Sequence, residues 1–135
     1  MGGDVFQETT CGVSVRVEPA FVDSESDPET GRYVWSYAVD VENQTQEPVQ
    51  LLSRYWRITD AAGVTQEVRG QGVVGQQPVI APGESFSYSS AAPLHAPSGL
   101  MHGHYEMARL HSGDRIKVNI PAFALDCPYS QPLAN

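Results

Sequence analysis

Long apolar runs are missing from this chain. No stretch approaches the ~18 residues that a membrane-spanning helix requires, so a membrane is not an expected partner. Sustained 3.6-residue periodicity is missing too, which argues against any helical fold. Basic residues are scarce: 8 Lys and Arg stand against 16 Asp and Glu, for a formal net charge of −8. Phosphate contacts need a cationic face, so nucleic acid is not expected either, and anionic membrane surfaces are repelled. Cysteine is limited to Cys11 and Cys127, and neither lies in a CxxC, which removes a redox motif or structural zinc site. The leading MGGDVFQETT carries no basic segment followed by an apolar one, so it does not read as a secretory signal. The expectation is a cytoplasmic protein with two reduced thiols; a disulfide joining the two ends is the alternative, if the terminal strands meet.

Catalytic signatures are equally thin. There is no GxSxG, no cysteine near a suitable histidine, and no carboxylate pair on a recognisable framework. No catalytic residue, cofactor or metal ion is expected.

What is present is a recurring period of two. Val13, Val15 and Val17 alternate with polar residues, and Tyr33, Trp35, Tyr37, Val39 and Val41 do so again. Phe86 with Tyr88, Tyr105 with Met107, and Ile116 with Val118 and Ile120 mark further strands, while Val49–Ile58 is strand-like with a less clean pattern. Turn residues divide them: the acidic Asp23–Gly31, Asn43–Pro48, Asp60–Gly63, Pro82-Gly83 and Ser112-Gly113. His95–Gly103 is expected as a crossover, and Pro121 at an edge or bulge, since proline cannot donate to a ladder. Seven to eight short strands predict an all-β, antiparallel sandwich of the fibronectin type III or immunoglobulin-like kind, with Trp35 or Tyr37 in the shared core. One domain over residues 1–135 is expected, its core about 13–125, with Tyr129–Asn135 a frayed tail.

Three clusters are candidates for chemistry. Gly70, Gly72 and Gly75 form a GxGxxG preceded by Arg69. Gln-Gln-Pro follows, so no helix can start and a dinucleotide fold is excluded; a helix-free nest of amides, with Arg69 as its cation, is the surviving anion-binding reading. The favoured alternative is a tight inter-strand loop. His102 and His104 would share one strand face with Glu106, within reach of a metal ion, but a plain polar face opposite Tyr105 and Met107 explains them better. Asp23, Glu25, Asp27 and Glu29 lack the turning glycine and closing acid of a calcium loop.

The runs VSVRVEPAFV (13–22), VWSYAVDVEN (34–43), LLSRYWRITDAAG (51–63), VRGQGVVGQQPVIAPGESFSYSSAAPL (68–94), GLMHGHYEM (99–107) and VNIPAFAL (118–125) closely resemble the ApaG family. The resemblance implies a fibronectin type III-like sandwich. It also implies a protein-interaction role, because a similar domain serves that purpose in eukaryotic F-box proteins and a polymerase-δ-interacting protein. The family carries a link to cobalt tolerance and magnesium efflux in enterobacteria, and its glycine motif, here Gly70, Gly72 and Gly75, is proposed to hold pyrophosphate. The expected function is therefore protein binding through sheet edges or the glycine loop. The alternative is a pyrophosphate- or nucleotide-binding protein, a hydrolase included, using the glycine loop. A weak homodimer through an open sheet edge is a further expectation.

Overall fold

Eleven residues of near-strict alternation, Tyr33–Asn43, form β3, whose inward phase carries Trp35, Tyr37, Val39 and Val41 into the core. The computed structural model describes residues 4–128, so the tail expected at Tyr129–Asn135 lies outside the described residues. Around β3 the chain builds β1 (Phe6–Thr10), β2 (Val13–Phe21), β4 (Val49–Asp60), β5 (Thr65–Gln71), β6 (Val79–Ile80), β7 (Ser85–Leu94), β8 (Ser98–Arg109) and β9 (Arg115–Asp126). One sheet has the order β1-β2-β3-β7 and the other β5-β4-β8-β9, with β6 paired to β4; every pairing is antiparallel. The fold is an all-β sandwich, as the alternation predicts.

Both aromatic residues expected inside are there. Trp35 is buried and donates its indole N–H to the Asp126 carbonyl, while Tyr37 packs edge-on against Trp56 at 5.4 Å. Edge-to-face rings at this spacing favour the packing beyond the area they bury.

Nine strands form where seven to eight were expected. Phe6–Thr10 has a single large apolar side chain, so alternation could not announce it. It becomes a strand because Cys11 and Gly12, with φ of 53° and 79°, turn the chain tightly onto β2. The crossover expected over His95–Gly103 is much shorter: β7 ends at Leu94 and β8 begins at Ser98. Gly99 and Gly103 are strand residues, and a Cβ at Gly103 would come within 1.9 Å of the Tyr55 carbonyl oxygen, so the glycine marks close strand approach rather than a loop. Two register shifts explain the blurred patterns. One between Leu51 and Ser53 breaks the phase of β4, and one opposite Met101/Gly103 accommodates Pro121, which sits at a bulge.

The two long sides of the sandwich differ. On one, β1 and β2 pack on β9. The other is bordered by β7 and β5, and the glycine loop lies there.

Candidate functional site

The residues after β5 turn back at once. Val73 and Gln76 exchange both backbone hydrogen bonds, at 2.8 and 2.9 Å, around Val74 and Gly75, whose φ angles are 42° and 79°. Positive φ at both central residues is the type I′ hairpin turn. Val73 is buried while Val74 is 54% exposed. A β-branched residue in the left-handed region costs about 1–2 kcal/mol, so Val74 is a strained apolar tip held by its surroundings.

The three glycines answer separate demands. A Cβ on Gly72, whose φ is 64°, would fall 2.2 Å from the Gln76 carbonyl oxygen. Gly75 supplies the second positive φ of the turn. Gly70 lies inside β5 opposite Arg54, and a Cβ there would meet the Arg54 guanidinium at 2.7 Å. The Gly72 amide donates to the Leu52 carbonyl at 2.8 Å.

Arg54 is the residue that sequence reading missed. On β4 it shares the inward phase of Trp56 and Ile58, and its Nη1 donates to the carbonyls of Gln71 (3.3 Å) and Gly72 (2.8 Å). The guanidinium thus braces the loop against the sheet. Together with Tyr37, Trp56, Val73, Val74, Tyr88 and Ser90 it lines a cleft of about 160 Å³ between the sheets. Tyr88, in this lining, meets the hydroxyl of the buried Tyr105 at 2.5 Å. Burial pushes both phenols well above their ordinary range. Tyr37 is raised by burial as well, with the facing Ser90 hydroxyl and Arg54 opposing. All three therefore remain neutral hydrogen-bonding groups near pH 7. An arginine in phase with buried aromatic residues was the available signal; the shift at Leu51/Ser53 hid it.

Arg69 points the other way. Its guanidinium stacks over the Tyr55 ring at 4.4 Å on the outer face of the five-stranded sheet. Arg69 and Gly70 share a shallow groove of about 370 Å³ there with Tyr55, His104 and Glu106, and Arg54 borders it as well as the cleft, while Gly72 and Gly75 are not in its lining. His102, His104 and Glu106 do share that face: Ser53 donates to Glu106, and the His104 ring lies 5.1 Å from Tyr55. Burial lowers the His104 pKa, helped by Lys117 and Arg69 and opposed by Glu106. Among the described residues no three His, Cys, Asp or Glu side chains gather around a metal position. Nor is any described helix long and apolar enough to cross a membrane.

β7 completes the site. The bond from the Asn43 amide to the Glu84 carbonyl fixes the phase of the β3–β7 ladder, so the even-numbered residues of β7 face β3. The amides of Ser85, Ser87, Ser89 and Ala91 then point to the open side. Pro93 falls in the same outward phase, where a missing N–H costs nothing. Among the described residues β7 pairs with β3 alone, and none of its ten side chains is charged.

The family model described as the ApaG domain matches residues 23–109. This chain belongs to the ApaG family. The protein ApaG of Parvibaculum lavamentivorans is 47% identical over 94% of this chain and 97% of its own length. That of Mesorhizobium japonicum is 48% identical over 97% and 100%. Among solved structures, one from Bordetella pertussis, described as an ApaA protein, superposes with a TM-score of 0.84 at 42% identity, covering 93% of this chain and 99% of that one. The ApaG chains thus match nearly end to end, and the β7 edge, the Arg54 brace and the glycine turn all lie within or beside the matched domain.

Proposed function

We propose that this ApaG-family chain is a protein-binding module that receives an extended segment of its partner along β7. The observation that carries this reading is the character of that edge: ten residues, no charge, and outward amides at Ser85, Ser87, Ser89 and Ala91. Exposed edges are templates for another strand, and proteins usually guard them with charges, prolines or coverage. β5 carries Glu67 and Arg69, and β9 carries Arg115 and Lys117 and is packed by β1. On β7 only Pro93, near its end, is a guard. The apolar Val74 tip stands beside the edge and offers the first side-chain contact.

The link to cobalt tolerance and magnesium efflux then runs through the partner. A cytoplasmic setting is in keeping with Cys11 and Cys127, both thiols. A second copy of the chain, pairing β7 with β7, is the competing occupant and would make the weak homodimer.

A photo-crosslinking residue at Ser89, compared with one at Glu67 on β5, tests the reading in cells. Adducts with a distinct protein from position 89, lost on Ala91→Pro with the fold intact, support it. Adducts only with a second copy, or equal adducts from both positions, overturn it.

A pyrophosphate reading has one observation in its favour, the outer groove where Arg69, Gly70, Tyr55 and His104 meet. It would use Arg69 and Gly70, with Gly72 and Gly75 shaping the loop. Calorimetry with a nucleoside diphosphate on wild type and Arg69→Ala decides it: saturable binding that the variant loses supports this ligand.

A further inference from the structure

The cleft beneath the glycine turn has a chemistry that the strand-addition reading does not use. Its one charged lining residue is Arg54. Nη1 of Arg54 is committed to the loop carbonyls, whereas Nε and Nη2 make no hydrogen bond with the described residues, and no carboxylate among those residues lies within ion-pairing distance. A guanidinium half removed from water with part of its donor fork unengaged is costly unless something accepts from it.

The tyrosine pair points in the same direction. Tyr105 is fully buried, and its hydroxyl has Tyr88 as its hydrogen-bond partner among the described residues. A buried O–H has to donate, so Tyr105 gives its proton to Tyr88. The Tyr88 proton is then turned away from Tyr105, and Tyr88 lines the cleft. Arg54 stands between the cleft and the outer groove and lends the cleft its positive charge, while Tyr88 adds a phenolic donor. Trp56, Val73 and Val74 supply apolar walls.

We propose that this cleft is a carboxylate-binding site, with Arg54 pairing the anion and Tyr88 donating to it. A carboxylate fits better than a phosphate on three grounds. A planar fork matches two coplanar oxygens. One cation balances one negative charge. The apolar walls suit a carbon stem. The volume of about 160 Å³ is several times the ~30 Å³ a water occupies in the liquid, enough for such a group. Tyr88 and Ser90 belong to β7. The carboxylate could therefore come from an Asp or Glu of a strand added there, which rests on the reading above, or from a free small acid.

The experiment is an NMR titration of the full chain, following backbone amides and the Arg54 Nε–H. Sodium acetate is compared with sodium chloride at equal ionic strength, and two blocked extended peptides differ only in a central Glu or Gln. Acetate, the Glu peptide or both should saturably shift Arg54, Val73, Tyr88 and Ser90 where chloride does not. Tyr88→Phe leaves the loop brace intact and should weaken that binding at least threefold with the urea midpoint unchanged. Arg54→Lys keeps the charge but loses the fork and should weaken it about tenfold. Preference for the Glu peptide, with slowed exchange at Ser85–Ala91, identifies the source as a strand's side chain. Acetate binding with both peptides silent keeps the carboxylate site while removing the strand. Equal binding of both peptides with acetate silent keeps the strand and overturns the carboxylate site. So does wild-type affinity in Tyr88→Phe, or the absence of any shift beyond that of chloride.

Discussion

Arg54 of β4 donates from Nη1 to the carbonyl oxygen of Gly72 at 2.8 Å, tying the glycine turn to the sheet it has just left. Gly70 makes room for that guanidinium, so this side chain explains one glycine of the motif and braces the turn that the other two shape. Arg54→Ala should destabilise the chain by about 1–3 kcal/mol, since it strips the Gln71 and Gly72 carbonyls of a charged donor. Urea unfolding measures it; a loss under about 0.5 kcal/mol would show that the turn holds itself.

The glycines should rank unequally. Gly72→Ala drives a methyl into the Gln76 backbone in addition to its positive φ, whereas Gly75→Ala meets nothing within 4 Å. Gly75→Ala should cost about 1–2 kcal/mol, the left-handed penalty alone, and Gly72→Ala clearly more. Val74→Asn should be neutral or stabilising, because asparagine suits the first central position of a type I′ turn. Thermal unfolding of the three variants gives the order. An equal loss at Gly72 and Gly75 would contradict this geometry.

How far the sequence carried can be judged at particular residues. Trp35, Tyr37 and Val39 announced their strand because one face is buried throughout, and a period of two is the direct imprint of that. Phe6–Thr10 was silent because a strand laid over an existing sheet edge needs little apolar surface of its own. Gly70, Gly72 and Gly75 were visible as turn chemistry, but their separate causes were not. Those causes are a side chain from β4, a carbonyl across the turn, and a backbone angle. Arg54, Tyr88 and Tyr105 lie 51 residues apart from first to last and meet only through the packing of the two sheets. No local pattern encodes such a meeting.

His104 should titrate below the ordinary histidine pKa of ~6.5, because burial beside Tyr55, with Lys117 and Arg69 nearby, disfavours its cation. The folded state then binds fewer protons than the unfolded state just below pH 6.5. The contribution of His104 to stability is full above that pH and is lost as pH falls through the depressed pKa. Imidazole carbon-bound proton shifts followed from pH 8 to pH 4 check the midpoint, and Lys117→Ala should move it upward. A midpoint above 6.5 would mean that Glu106 dominates.

The two thiols should differ in access. Cys11 is exposed at the β1–β2 turn, whereas Cys127 is buried after β9. A thiol reagent should modify Cys11 within seconds to minutes under native conditions and reach Cys127 only on unfolding or slow local opening. Equal rates would mean that the end of β9 frays from the core.

Residue-resolved amide hydrogen exchange on the free chain and on its complex tests most directly whether β7 is the edge a partner strand pairs with. In the free chain the outward amides of Ser85, Ser87, Ser89 and Ala91 should exchange rapidly while the even-numbered amides facing β3 are protected. In the complex those outward amides should slow at least tenfold, with β5 amides unchanged. Protection confined to β5 or to the outer face of the five-stranded sheet, with the β7 amides still rapid, would contradict the account.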